Sequence, residues 1–300
     1  MFIDIHAHAY RIKSPVFSFC TPEELIAEYD KYGIEKGVVQ PIVSPEIYMP
    51  QANEDVLEMC AKYPDRLIPF CNIDPRMMTN SSRAPLWKLI RHYKEAGCKG
   101  IGEVMPNMAI MDPLIQNLFA CAEQEGMSIT YDGSTQIGGD FGLYDDPGLP
   151  QLEYSLQTYP DLIIFGHGPV FWSEIGKLET PAERGVHFSF KGHQVGGRLP
   201  SGKITEEGVL PKLFRRYPNL YGDLSDGTAY NAFARDEDYG PKFMEEFQDR
   251  LFFGTDMCFP DMTVKLPELM LRWHDEGRIS ETVFQKIARE NAIKFLGLEA

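Results

Sequence analysis

Short apolar runs recur along the chain at spacings of roughly 30 residues, each followed by an amphipathic stretch. The runs are 2–8 (FIDIHAH), 38–43 (VVQPIV), 67–72 (LIPFCN), 99–104 (KGIGEV), 127–132 (MSITYD), 161–167 (DLIIFGH), 219–224 (NLYGDL) and 251–255 (LFFGT). Between them lie segments such as "TPEELIAEYDKYGIEKG", where Thr21 is placed as an N-cap with Glu24 three residues on and Leu25, Ile26 and Tyr29 mark a buried side. "DPLIQNLFACAEQEG" and "LPELMLRWHDEG" repeat that design, each with a glycine just past the helix end. Eight strands alternating with helices predict an α/β fold: a (β/α)8 TIM barrel, whose usual size is about 250 residues. A doubly wound sheet is the rival, but "GIGE" at 100–103 lacks the spacing of a phosphate-binding glycine loop. Residues 133–150 and 171–215 exceed ordinary barrel connections, so the barrel is expected to be distorted and to carry long βα loops. No linker, repeat or low-complexity tract divides residues 1–300, which predicts a single domain.

Composition removes several classes of function. A net charge of −15 argues against a nucleic-acid or anionic-membrane partner, because phosphate binding needs clustered Lys and Arg. No run is apolar enough to span a bilayer, and the first residues lack the design of a secretory signal; a soluble, cytoplasmic protein is expected. Six cysteines (20, 60, 71, 98, 121 and 258) form no CxxC pair, as befits reduced buried thiols rather than a structural zinc cluster. Apolar and aromatic residues in 226–247 fit either a homo-oligomer interface or core packing.

Barrel enzymes carry their chemistry at the C-terminal ends of the strands. There the sequence places His6 and His8 (strand one), Glu103 (four), Asp132 (five), His167 (six) and Asp256 (after eight). Asp4, His6 and His8 alternate with Ile3, Ile5 and Ala7, which predicts one shared polar face. Imidazole and carboxylate suit zinc, manganese or iron, and convergence from several strands offsets the cost of burying charge. Each residue also has a plainer reading. The two histidines fit a hydrogen-bonded interior pair, Glu103 a structural ion pair, Asp256 a turn cap and His167 a turn residue. All of these plainer readings holding together at matching strand ends is the less economical account. His92 and His274 are expected at helix C-termini on the surface, and His187 and His193 in a solvated loop. Arg11, Lys13, Arg76, Lys191 and Arg198 are loop cations, of which Arg76 and Arg198 are candidates to hold a substrate carboxylate in bidentate fashion.

These segments resemble the amidohydrolase superfamily, in particular its branch with aminocarboxymuconate-semialdehyde decarboxylase, aromatic-acid decarboxylases and several lactonases. "DIHAH" is similar to the family's strand-one metal motif, and "LIIFGHGP" to its strand-six histidine segment. "YPNLYGDLSD" resembles strand seven, "RLFFGTDMCFP" the strand-eight aspartate motif and "ENAIKFLGL" the terminal helix. The resemblance implies that His6, His8 and Asp256 are metal ligands and that His167 is a ligand or a base beside the metal. The family commonly has a histidine at the end of strand five, where this chain places Asp132, and Glu103 is a second departure from the decarboxylases. Both replace neutral ligands with anionic ones and harden the site.

The function expected is hydrolysis of a small amide, lactone or ester by water activated on a divalent ion, with one or two ions per chain and zinc the first choice. Asp256 is the expected base and His167 the group that stabilises an oxyanion or protonates the leaving atom. Asp4 is expected to orient a ligand. The alternative is a metal-dependent, non-oxidative decarboxylase of a small carboxylic acid. A non-catalytic metal-binding barrel is further off, and a metal-dependent deoxyribonuclease conflicts with the acidic chain.

Overall fold

The computed structural model describes residues 1–299 apart from 14, 48, 181–182, 185–186, 189–193 and 196–198, with only the backbone of 187–188 and 194–195. Lys191, His193 and Arg198 therefore lie outside the described residues, as does the side chain of His187. Eight strands form the frame: β1 (Phe2–Ala7), β2 (Ile34–Val39), β3 (Leu67–Pro69), β4 (Ile101–Val104), β5 (Ile129–Ser134), β6 (Ile164–His167), β7 (Leu220–Asp223) and β8 (Leu251–Phe252). They pair in parallel in two sheets, β1–β2–β3 and β4–β5–β6–β7–β8. Two isolated bridges join the sheets, Cys71 with Ile101 and Ala7 with Met257. The Gly102 amide donates to Cys71 O at 2.8 Å across one seam, and His8 N to Met257 O and Asp256 N to His6 O across the other, at 2.9 and 2.8 Å. The order of pairing is that of a (β/α)8 barrel closed between its first and last strands.

Helices follow the strands: α1 (Pro22–Tyr32), α2 (Asn53–Lys62), α3 (Trp87–Glu95), α4 (Pro113–Glu125), α5 (Pro150–Thr158), α6 (Gly168–Ser173) and α7 (Leu210–Arg216). After β7 come α8 (Asp226–Ala234) and α9 (Gly240–Phe247), and after β8 come α10 (Leu266–Asp275), α11 (Glu281–Gln285) and α12 (Asn291–Leu296), the last two joined by a π-turn. Thr21 and Glu24 form the predicted capping box of α1. That helix ends earlier than predicted, because Gly33 takes the left-handed conformation at φ 66° and caps it. The second strand consequently runs over Ile34–Val39 instead of 38–43, and Gly37 lies inside it, packed against the Tyr29 hydroxyl where no Cβ fits. The other strands fall where expected but are mostly shorter; pairing beyond β3 continues as single bonds from Phe70 and Cys71.

Ile3 and Ile5 of β1 meet Val38, Ile68, Phe70, Phe165 and Phe252 in one buried cluster with Ala292 and Leu296 of α12. Strands that are not neighbours can share such a cluster only inside the ring. A second, larger core lies between the strands and the helices. Phe233, Phe243, Met244 and Phe247 belong to it, with Trp172 and Phe233 centroids 5.3 Å apart, so core packing accounts for the apolar residues of 226–247. Among the described residues no helix is long and apolar enough to cross a membrane.

Candidate metal centre

One predicted feature of β1 changes in the fold. Its pairing with β2 is irregular between Asp4 and Ala7, so Asp4 does not share a face with His6 and His8. The Asp4 carboxylate accepts from the backbone of His6 and from both the amide and the hydroxyl of Thr255, at 3.0, 2.9 and 2.6 Å, beside Tyr29 of α1. Asp4 thus secures the strand-one to strand-eight seam and holds His6 through its backbone rather than its ring.

His6 and His8 instead turn into the barrel mouth, where their Nε2 atoms approach to 3.0 Å. Glu103 Oε2 lies 3.6 Å from His6 Nε2 and 3.4 Å from His8 Nε2. Asp256 Oδ1 lies 3.6 and 3.3 Å from the same two atoms. His167 Nε2 completes the group, 3.6 Å from Glu103 Oε1 and 4.0 Å from Asp256 Oδ2. Donor atoms from four strand ends therefore converge, and all are buried except the Asp256 side chain, which is 21% exposed. Asp256 owes its aim to a left-handed backbone, φ 52°.

The opposite edge of each imidazole is held separately. His6 Nδ1 lies 2.6 Å from Asp223 Oδ2, and His8 Nδ1 2.9 Å from the Gln40 carbonyl. His167 Nδ1 lies 2.9 Å from Ser225 Oγ, which also sits 3.3 Å from His6 Nδ1. A carbonyl only accepts, so His8 donates through Nδ1 and presents Nε2 to the cluster; a carboxylate partner does the same for His6. Partners of this kind are how metal-ligating histidines are oriented.

Asp132 joins Glu103 and His167 in a further buried group of closely spaced ligand atoms. Its carboxylate fills the space that side chains would need at Gly142 and Gly168, both of positive φ. Burial, then the charges of Glu103, Asp140, Asp256 and Asp226, hold its carboxyl well above the usual range. Burial favours neutral imidazole at His6, but Asp223 and Glu103 outweigh it and the ring is pushed well up. His8 is likewise pushed up to about 9 against the effect of burial, by hydrogen bonds with Asp256 and Glu103. Burial also opposes ionisation of Glu103, yet His6, His8 and His167 hold it well below the usual range.

The donor set fits a divalent cation. Carboxylates of Glu103, Asp223 and Asp256 are partnered by imidazoles, and among the described residues no Lys or Arg forms an ion pair with them. Protons on His6 and His8 compensate that charge where a cation would otherwise do so. Arg76 is occupied elsewhere: Asp74 and Glu46 grip its guanidinium at 2.6 and 3.2 Å. Asp223, Ser225 and Cys258 were not singled out by sequence. Asp223 offered a signal, a carboxylate ending the apolar run of strand seven, whereas a serine just past β7 and a cysteine in the loop after β8 offer none.

Residues 193–298 match the amidohydrolase family model, a stretch that includes β7, β8 and Asp256. The match covers the last third of the sequence and marks a likeness to that family there. No curated relative matches the chain. Solved structures similar to this chain over their whole length include an uncharacterised TIM-barrel protein from Bordetella bronchiseptica (18% identity, covering 99% of this chain and 98% of that one, TM-score 0.64). Another is a probable 2-pyrone-4,6-dicarboxylic acid hydrolase from Acinetobacter baumannii (14%, 99% of both chains, 0.58). A third is 5-carboxyvanillate decarboxylase from Sphingomonas paucimobilis (15%, 99% of both chains, 0.59). At such identities the likeness establishes the barrel and leaves the reaction to the site.

Proposed function

We propose that the protein is a metal-dependent hydrolase of small amides, esters or lactones whose reacting end is uncharged. The reading rests on the convergence of three imidazole Nε2 atoms with Glu103 and Asp256 at the barrel mouth. His6, His8, Glu103 and Asp256 would hold a divalent ion with His167 beside it, zinc suiting the nitrogen and carboxylate set, and Asp132 available to a second. When bound, the ion supplies Lewis-acid activation of the carbonyl and of water.

The chain's own groups divide the remaining work. Asp256, the most exposed member of the cluster, accepts the proton of the attacking water at a carboxylate oxygen. His167, held through Nδ1 by Ser225, delivers a proton from Nε2 to the departing oxygen or nitrogen. Asp223 and Gln40 fix the rings of His6 and His8, so the constellation needs no rearrangement on binding. Asp256→Asn keeps an oxygen to coordinate but loses the base, and is expected to lower kcat roughly 100- to 10,000-fold.

The test combines elemental analysis of bound metal with a pH-stat screen for acid release from neutral lactones, esters and amides. Metal and acid release disappearing together in a folded His6→Ala/His8→Ala double variant is the expected result. Decarboxylation remains the second reading, favoured by the Nε2 of His167, which faces the cluster where it could protonate a carbon. The barrel is also that of the decarboxylase named above. Release of CO2 from carboxylated aromatics, with no acid from the neutral panel, would establish it instead.

A further inference from the structure

We infer that Cys258 supplies a thiolate ligand to the cation of this site, giving it a preference for soft divalent ions. The inference rests on the metal-dependent reading above. Cys258 Sγ lies 3.6 Å from Asp256 Oδ1, and a ligand atom of His8, a carboxylate oxygen of Asp256 and Sγ all lie within 4.8 Å of one another. The thiol is therefore one of three ligand-type groups facing a shared space on the Asp256 side of the cluster.

The backbone keeps it there. Cys258 O accepts from Cys20 N at 2.8 Å and Cys258 N donates to Met262 Sδ at 3.2 Å. The other five cysteines are buried; Cys258 is partly exposed, at the same opening as Asp256. A second polar group lies in that neighbourhood. Cys258 packs on an apolar cluster of Tyr10, Phe19, Ile42, Ile47 and Met105 in which the hydroxyl of Tyr10, 3% exposed, has no hydrogen-bond partner among the described residues. The buried hydroxyl makes this wall more than an apolar lining. Ligation breaks the S–H bond, releases the proton to solvent and directs a sulfur lone pair to the cation, with no change of oxidation state. Thiolate favours zinc and cobalt over magnesium, calcium or manganese.

Cobalt(II) makes the sulfur visible. Protein stripped with a chelator is reloaded with cobalt, bound cobalt is counted by elemental analysis, and the near-ultraviolet spectrum is recorded. The wild type is expected to show sulfur-to-cobalt charge-transfer absorption, and Cys258→Ser to bind cobalt without it. Cobalt bound in a manner abolished by His6→Ala/His8→Ala, but with no such absorption, or with absorption that survives Cys258→Ser, overturns the thiolate and leaves the metal-dependent reading intact. No cobalt bound by the wild type overturns both.

Discussion

At the residue scale, the chemistry lies in how few atoms carry so many constraints. Each of the three imidazoles is committed at Nδ1 and turns Nε2 into the cluster, so the site is oriented before any ligand arrives. A pH dependence follows. The unfolded chain protonates histidine near 6.5, whereas folded, cation-free His8 is pushed up to about 9. Its charged form therefore stabilises the cation-free fold fully below 6.5, and that contribution is lost as pH rises through 9. A cation needs the neutral ring, so its affinity moves the opposite way. The rise in Tm produced by added zinc should grow between pH 6.5 and 9. A rise that stays constant across that interval would remove His8 from the ligands. His6, His8, Glu103, His167 and Asp256 were legible because each interrupts or ends an apolar run. The face of Asp4 was misassigned because strict alternation cannot anticipate an irregular register, and the partial exposure of Cys258 escaped notice because a scattered thiol reads like any other buried one.

At the scale of elements, the strand and helix pattern was legible while its punctuation was not. Two glycines, 33 and 37, compete to end α1, and only the backbone at Gly33 settles which does. The connection from β5 to α5 shows how a long loop is disciplined. Leu149 is left-handed, Pro150 opens the helix, and the buried Asp145 carboxylate accepts from the amides of Asp146, Gln151 and Leu152 at 2.7, 3.0 and 2.9 Å. Arg184, from the segment after α6, donates to the Asp145 carbonyl and pairs with Glu174. Asp145→Ala leaves these buried amides without an acceptor and is expected to reduce stability by about 1–3 kcal/mol. The midpoint of urea unfolding measures it, and an unchanged midpoint would mean that α5 contributes its own N-terminal stability.

At the scale of the whole molecule, the barrel depends on two seams, and the one between β1 and β8 carries the site. Thr255 there donates to Asp4 from both its amide and its hydroxyl. Thr255→Val removes the hydroxyl from a carboxylate already pushed up to about 7 by burial, and should cost about 1–3 kcal/mol in urea unfolding, with Thr255→Ser close to wild type. Equal losses in both variants would assign the effect to shape rather than to the bond. That the ring closes was readable from the count of strands; that a buried Asp–Thr pair closes it was not, since the two residues lie 251 positions apart. The same separation sets an order of events during synthesis. His6 and His8 leave the ribosome well before Asp256 and meet it only once the residues between them have emerged. A nascent chain thus carries two imidazoles with no assembled cage around them, and the cation site appears in one late step, with the closing of the ring.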